Sequence, residues 1–268
     1  LKKLVFLLIT ILILVFSLTA CGPSGDPEEY LMGYYEDVVK KDVESAYNRL
    51  SIESQKNFSK DDFVLWHNLH TEVNKLVKAD VELLEKEKNF EIDGVIYNEV
   101  ATFSVIETVE EFYDSKEQVY TSERYVVSED GEWKIYRGKE DGSLKVSELY
   151  NALSWMYLEG NGKSKDINQG LMVIKEGLNY NSDFIPLHYG LCYSYYTLGR
   201  YDESIEACER LIELSYDDET QQSNTYNILG LSYQEKGDIE SAKDCFERAL
   251  DLDPNNEYAR TNLNWYEN

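Results

Sequence analysis

Histidine is scarce in this sequence, with three copies in 268 residues, and basic side chains are outnumbered 51 to 26 by acidic ones, a formal charge of −25. So negative a surface repels phosphate backbones and anionic lipid headgroups, which argues against nucleic acid as a partner and against polybasic docking on a membrane. His67 and His70 stand three apart on a predicted helix beside Trp66, but no third ligand lies in register with them, and no metal or other cofactor is expected. The motifs G-x-S-x-G, H-E-x-x-H and Cys-x-x-Cys are missing, so catalysis has no positive support. Cysteine occurs four times. Cys21 stands apart, and the odd trio Cys192, Cys208 and Cys245 argues against a disulfide framework and matches no zinc spacing; Cys192 and Cys208 could still meet.

What the sequence does have is helical periodicity with small residues at fixed places. In Ser223 to Asn256 two such patterns flank the turn Lys236-Gly237-Asp238, and Pro254 closes the second. Tyr226, Leu229, Gly230 and Tyr233 share one face of the first helix; Ala242, Phe246 and Ala249 share one face of the second. The small members let the helices approach closely while the large ones fill the remaining space. On these residues the stretch resembles a tetratricopeptide repeat. Two weaker copies precede it. In Ile185 to Asp218, His188, Leu191, Cys192 and Tyr195 are answered by Ser204, Cys208 and Leu211. From Ser147, Tyr150, Leu153, Ser154 and Tyr157 are answered by Gly170, Ile174 and Gly177, with a long loop at 159–166 that is similar to the related Sel1-type repeat. Residues 219–222 read as a lengthened loop between copies, and residues 257–268 as a capping helix.

The resemblance implies an all-α solenoid over residues 146–268, three helical hairpins plus the cap. It also implies a concave face built from first-helix positions that miss the core: Asn151, Trp155, Tyr189, Tyr193, Tyr196, Asn227, Leu231 and Gln234. Stiff aromatics among amides suit a groove for a protein or peptide partner. The competing reading is that tyrosine, present 22 times in the chain, simply packs between repeats. Lysine and arginine are absent from these eight positions, so the carboxylate-clamping mode of some family members is not expected.

Residues 1–20 carry Lys2 and Lys3, then apolar runs at 4–9 and 11–16, then small residues. The apolar part is shorter than a comfortable membrane span and reads as an export signal peptide. Leu18-Thr19-Ala20-Cys21 resembles the lipobox of bacterial lipoproteins. That resemblance implies that Cys21 is the first mature residue and the lipidation site, carrying palmitate-like acyl chains. It places the protein on the cell membrane, lipid-anchored, at the extracytoplasmic face; an uncleaved membrane anchor is the alternative. Each buried CH₂ contributes about 0.8 kcal/mol, so two or more chains would hold where one would dissociate. Residues 21–27, rich in Gly and Pro, read as a tether that cannot pack.

Residues 28–145 change character midway. An amphipathic helix from Asp26 to Leu50, broken near Lys41-Asp42, is followed by a short helix opened by the capping pair Ser59 and Asp62, with Phe63 and Trp66 on its buried side. Strand-like segments then run over 78–90, 99–109, 118–128 and 132–136, separated by the turn signals Asp93-Gly94, 113–116 and Glu129-Asp130-Gly131. Helices first and an antiparallel meander afterwards give an α+β layer with the helices on one face. Ala46-Tyr47 through Leu50-Ser51, Phe58-Ser59, Asp62-Phe63 and the closing hairpin with Trp133 resemble the nuclear transport factor 2-like cone, with a cystatin-like sheet as competitor. Together these readings describe a membrane-anchored, non-enzymatic adaptor that holds a protein or peptide in its repeat groove. The alternative is a small-molecule binder or enzyme working from the α+β domain.

Overall fold

A computed structural model describes residues 22–266 as two compact units. The first takes in the chain up to His67, 76–110 and 117–142; the second takes in 68–75, 111–116 and everything from Ser143. The export-type segment 1–20 and Cys21 lie outside the described residues. Among the described residues no helix is long and apolar enough to cross a membrane.

The first unit begins with α1 (Pro27–Lys40) and α2 (Val43–Asn48). Asp26 caps α1 by accepting from Glu28 N–H at 3.0 Å, and Pro27 and two glutamates fill the first turn. The expected break is real: Lys41 adopts φ +60°, ending α1, and Asp42 caps α2 by accepting from Ser45 N–H. A six-residue helix, α3 (Ile52–Asn57), capped by Ser51, was not legible beforehand; α4 (Lys60–Val73) opens on the predicted pair, with Asp62 N–H donating to Ser59 Oγ at 3.1 Å.

Four strands follow in the order β1-β2-β3-β4: β1 (Asn74–Ile92), β2 (Val95–Glu111), β3 (Lys116–Glu129) and β4 (Glu132–Tyr136). Two of the connections are two-residue turns, Asp93-Gly94 and Asp130-Gly131, in which both residues of each pair have positive φ, the twist that an antiparallel hairpin needs. Alternate side chains divide between two faces. Ala101, Phe103, Val105, Val126, Trp133 and Ile135 meet Leu31, Tyr34, Tyr35, Ala46, Tyr47, Leu50, Phe58 and Phe63 of the helical layer, whereas Ile92, Tyr97, Val100, Val127 and Tyr136 form a smaller cluster on the other face. The helix-facing side is thus filled by aromatic rings.

The tether expectation needs correction. Ser24 N–H donates to the Gly131 carbonyl at 3.2 Å, Trp133 Nε1 donates to the Gly25 carbonyl at 3.0 Å, and Pro27 is buried. The β3–β4 hairpin supplies the donors and acceptors that a Gly-Pro stretch cannot provide for itself.

The second unit is helical: α5 (Gly142–Glu159) and α6 (Ile167–Tyr180), α7 (Ile185–Thr197) and α8 (Tyr201–Leu214), α9 (Glu219–Glu235) and α10 (Ile239–Leu252), then α11 (Glu257–Asn264). Residues 219–222 are the first turn of α9, not a loop, because Asp218 caps it by accepting from Gln221 N–H at 2.9 Å. The predicted inner positions of the second helices, Gly170, Ile174, Gly177, Ser204, Cys208, Leu211, Ala242, Phe246 and Ala249, are all buried. Close approach is literal at Gly230, where a Cβ would lie 2.6 Å from Phe246 Cε1.

Candidate functional site

Several of the positions assigned to the groove make contacts between α5 and α7 and between α9 and the C-terminal capping segment. Trp155 of α5 stacks on Tyr189 of α7 with ring centroids 6.2 Å apart and planes at 29°, and sits 5.4 Å from Tyr193. On α9, Asn227 Oδ1 accepts from Asn262 Nδ2 at 2.8 Å and Gln234 Oε1 accepts from the Tyr266 hydroxyl at 2.7 Å. Asn151 lies one turn before Trp155, its Oδ1 buried and without a hydrogen-bond partner. Tyr196 meets Tyr201 at the start of α8, centroids 6.2 Å apart, and the Tyr201 hydroxyl donates to Glu235 at 3.3 Å. All eight predicted residues, Leu231 included, are half-buried. The arrangement therefore brings Trp155, Tyr189 and Tyr193 into contact between neighbouring first helices and Asn227 and Gln234 into contact with the capping segment, so that packing along the stack accounts for part of their area.

The helix order explains why these side chains share a side. On α7, Tyr189, Tyr193 and Tyr196 recur at helical spacing, while Leu187, Gly190, Cys192 and Ser194 point into the core. Burial raises the Tyr189 hydroxyl above its ordinary pKa, with the phenols of Tyr193 and Tyr258 among the groups adding to it. Tyr196 is raised by burial and then by the Glu235 carboxylate.

The other candidate residues are placed separately from this face. Cys192, Cys208 and Cys245 are free thiols in one buried apolar cluster, and burial pushes the Cys192 thiol well up, away from the reactive thiolate. His67 is buried with Nε2 3.2 Å from the Val38 carbonyl. His188 is likewise buried, Nε2 2.7 Å from the Ser182 carbonyl. Among the described residues no group of three or more His, Cys, Asp or Glu is placed to hold a metal. In the α+β unit, burial works against the charge on Arg137, yet Tyr34 and Glu140 more than offset it and its pKa rises. Its guanidinium donates to the Tyr34 hydroxyl at 2.9 Å, pairs with Glu140 at 2.9 Å and lies 4.9 Å from the Trp66 ring centre. A cleft of about 200 Å³ between α1 and β1 is lined by Met32, Tyr35, Val39, Leu76 and Val77, and Glu36 and Lys40 at it pair with each other.

Residues 184–255 match the tetratricopeptide repeat family. No curated protein sequence matches the chain. Similar solved structures include the N-terminal domain of stress-induced protein-1 (STI-1) from C. elegans, 14% identical over 48% of this chain and 100% of that one, TM-score 0.42. They also include the first TPR of Spaghetti (RPAP3) bound to the HSP90 peptide SRMEEVD, 17% identical over 45% and 90%, TM-score 0.40. A third is the second TPR domain of human RPAP3 in complex with the HSP70 peptide SGPTIEEVD, 20% identical over 46% and 92%, TM-score 0.38. The C-terminal region is a tetratricopeptide repeat domain by its family match and by its own helix order, and it follows an antiparallel four-stranded α+β layer.

Proposed function

We propose that the repeat domain holds an extended polypeptide on the side lined by its first helices, and that Cys21 ties the chain to the extracytoplasmic face of the cell membrane. The α+β unit, of nuclear transport factor 2-like or cystatin-like kind, serves as a spacer or second surface. The observation that carries the polypeptide reading is the run of half-buried rings from Trp155 through Tyr189 and Tyr193 to Tyr196 on consecutive first helices of a tetratricopeptide repeat domain. The small-molecule or enzymatic alternative has one feature in its favour, the α1–β1 cleft at which the buried Tyr35 stands, but the rest of that side of the sheet is filled by packed rings. The lipidation reading is supported by the lipobox-like sequence before Cys21.

The partner surface is tested with a photocrosslinker installed in intact cells at Tyr196, and in parallel at Met172, an exposed residue of α6. Polypeptide adducts from position 196 and few from 172 are expected; equal yields from both sites would remove the groove. The anchor is tested by metabolic labelling with an alkyne-bearing palmitate analogue. Labelling should disappear in Cys21→Ser, and a label that survives the substitution refutes that half of the reading.

A further inference from the structure

Charge is distributed unevenly between the inner and outer helices of the repeat domain. The helices α7 and α9 contain no lysine or arginine, and α9 carries Glu219 and Glu235. On the flanking first helices the two cations are already engaged: Lys145 pairs with Glu148 at 3.0 Å, and Arg260 donates to the Pro254 carbonyl. The second helices hold four cations, Lys175, Arg210, Lys243 and Arg248, but also ten acids, so the first helices are set apart by their lack of free cations and not by a greater net negative charge.

Two tyrosine rings of this domain carry cations: Arg200 lies 4.6 Å and Lys175 5.5 Å from the Tyr195 ring centre, and Lys243 5.3 Å from that of Tyr266. Among the described residues no cation covers Trp155, Tyr189, Tyr193 or Tyr196. Every charged or titratable neighbour that perturbs the Tyr196 hydroxyl is acidic or phenolic, Glu235 first among them, and none opposes it. Indole and phenol faces are negative, and cations held over them in partly dried sites gain both from the ring and from a nearby carboxylate.

We infer that the polypeptide taken by this domain is a cationic one: an extended segment whose lysine or arginine side chains lie over Trp155, Tyr193 and Tyr196, with a positive group at Glu235. The inference rests on the polypeptide-binding reading and supplies the chemistry of its partner. A carboxylate-bearing segment would find no lysine or arginine on α7 or α9, the cations of α5 and α11 already engaged, and the Glu235 carboxylate opposing it, which adds specificity by repulsion.

The test uses the purified chain and three fluorescent decapeptides, alternating Ser-Lys, Ser-Glu and Ser-Asn, read by anisotropy at low and raised salt. The lysine peptide should bind best, and Glu235→Gln and Trp155→Leu should each weaken it about three- to thirtyfold, whereas Glu247→Gln, an exposed residue of the outer helix α10, should leave it unchanged. Glu235 is exposed, so Glu235→Gln leaves the fold intact and keeps the test sound if Trp155→Leu unfolds the domain. Equal loss with Glu247→Gln means diffuse attraction to an acidic surface and overturns the inference. Preferential binding of the neutral or acidic peptide, lost in Trp155→Leu, overturns the cationic inference while the groove stands. No peptide responding to either inner variant overturns both.

Discussion

Gly230→Ala tests whether the hairpins are held at the distance their small residues set. In the third hairpin the added methyl would sit 2.6, 2.9 and 3.0 Å from Phe246 Cε1, Cδ1 and Cζ, and Phe246 is fully buried. The ring cannot retreat into solvent, so the overpacking costs about 1–3 kcal/mol. Against it, alanine in place of glycine in a helix gains about 1 kcal/mol. The net expected change is a loss of roughly 1 kcal/mol. Phe246→Leu removes the ring atoms that the methyl meets, at a cost well below the about 3–5 kcal/mol of a full Phe→Ala truncation. In that background Gly230→Ala should stabilise, because only the propensity gain remains. The pair therefore couples by about 2 kcal/mol with a reversal of sign. Urea unfolding followed by far-ultraviolet circular dichroism, with an unchanged m-value, reads both effects. If Gly230→Ala destabilises equally in both backgrounds, contact with Phe246 is not what fixes the helix separation.

Two further expectations concern buried polar groups. Asn256 Oδ1 accepts from Ala259 N–H at 3.1 Å and its Nδ2 donates to Ser223 Oγ at 2.9 Å, so Asn256→Ala should cost about 1–2 kcal/mol and speed amide exchange in α11 while leaving α7 and α8 unchanged. Uniform exchange across the domain would show that α11 is not held by this residue. Tyr97 is buried with no hydrogen-bond partner for its hydroxyl, and burial pushes its pKa up to about 12. Because the folded value is raised, the neutral phenol's contribution is fully present below the ordinary value of 10.0 and is lost as pH climbs through the folded value. Tyr97→Phe should therefore be neutral or stabilising by up to about 1 kcal/mol at pH 7 and should lose less stability than the parent in that alkaline window; parallel pH profiles would contradict the burial of this hydroxyl.

Features governed by short-range chemistry were legible in the sequence. The Asp-Gly turns, the Ser59–Asp62 pair, the break at Lys41 and the alternation of small and large residues in the hairpins each involve groups within a few residues of one another or recur at the repeat spacing. The missed features depend on remote partners. Helix α3 has little apolar periodicity and is secured instead by Arg137 N–H donating to Ser54 Oγ and Ile52 N–H donating to Glu129. The docking of Ser24 and Gly25 needs Gly131 and Trp133, more than a hundred residues away. The first turn of α9 was an exception: Asp218 offered a local cap signal that the repeat spacing overrode. For the candidate groove, the spacing proposed a set of residues, but the stacking of Trp155 on Tyr189 and the hydrogen bonds from Asn262 and Tyr266 depend on which helices become neighbours.

Contact between repeats and availability to a partner, set against each other at the sequence level, are compatible in the folded domain. Trp155, Tyr189 and Tyr193 each keep part of their surface exposed while a ring edge or face is fixed by the adjacent first helix. A ring fixed in this way has already lost its rotamer freedom on folding, so a partner that covers it does not bear the about 0.5–1.5 kcal/mol usually lost for each side chain immobilised at an interface. The same packing links the presented face to the separation of the helices that carry it. A perturbation such as Gly230→Ala, whose added methyl meets Phe246 of α10, should leave the direct ring contact of Trp155 with Tyr193 intact. Binding that fell in proportion to the stability loss at Gly230 would mean instead that the face is a property of the whole stack.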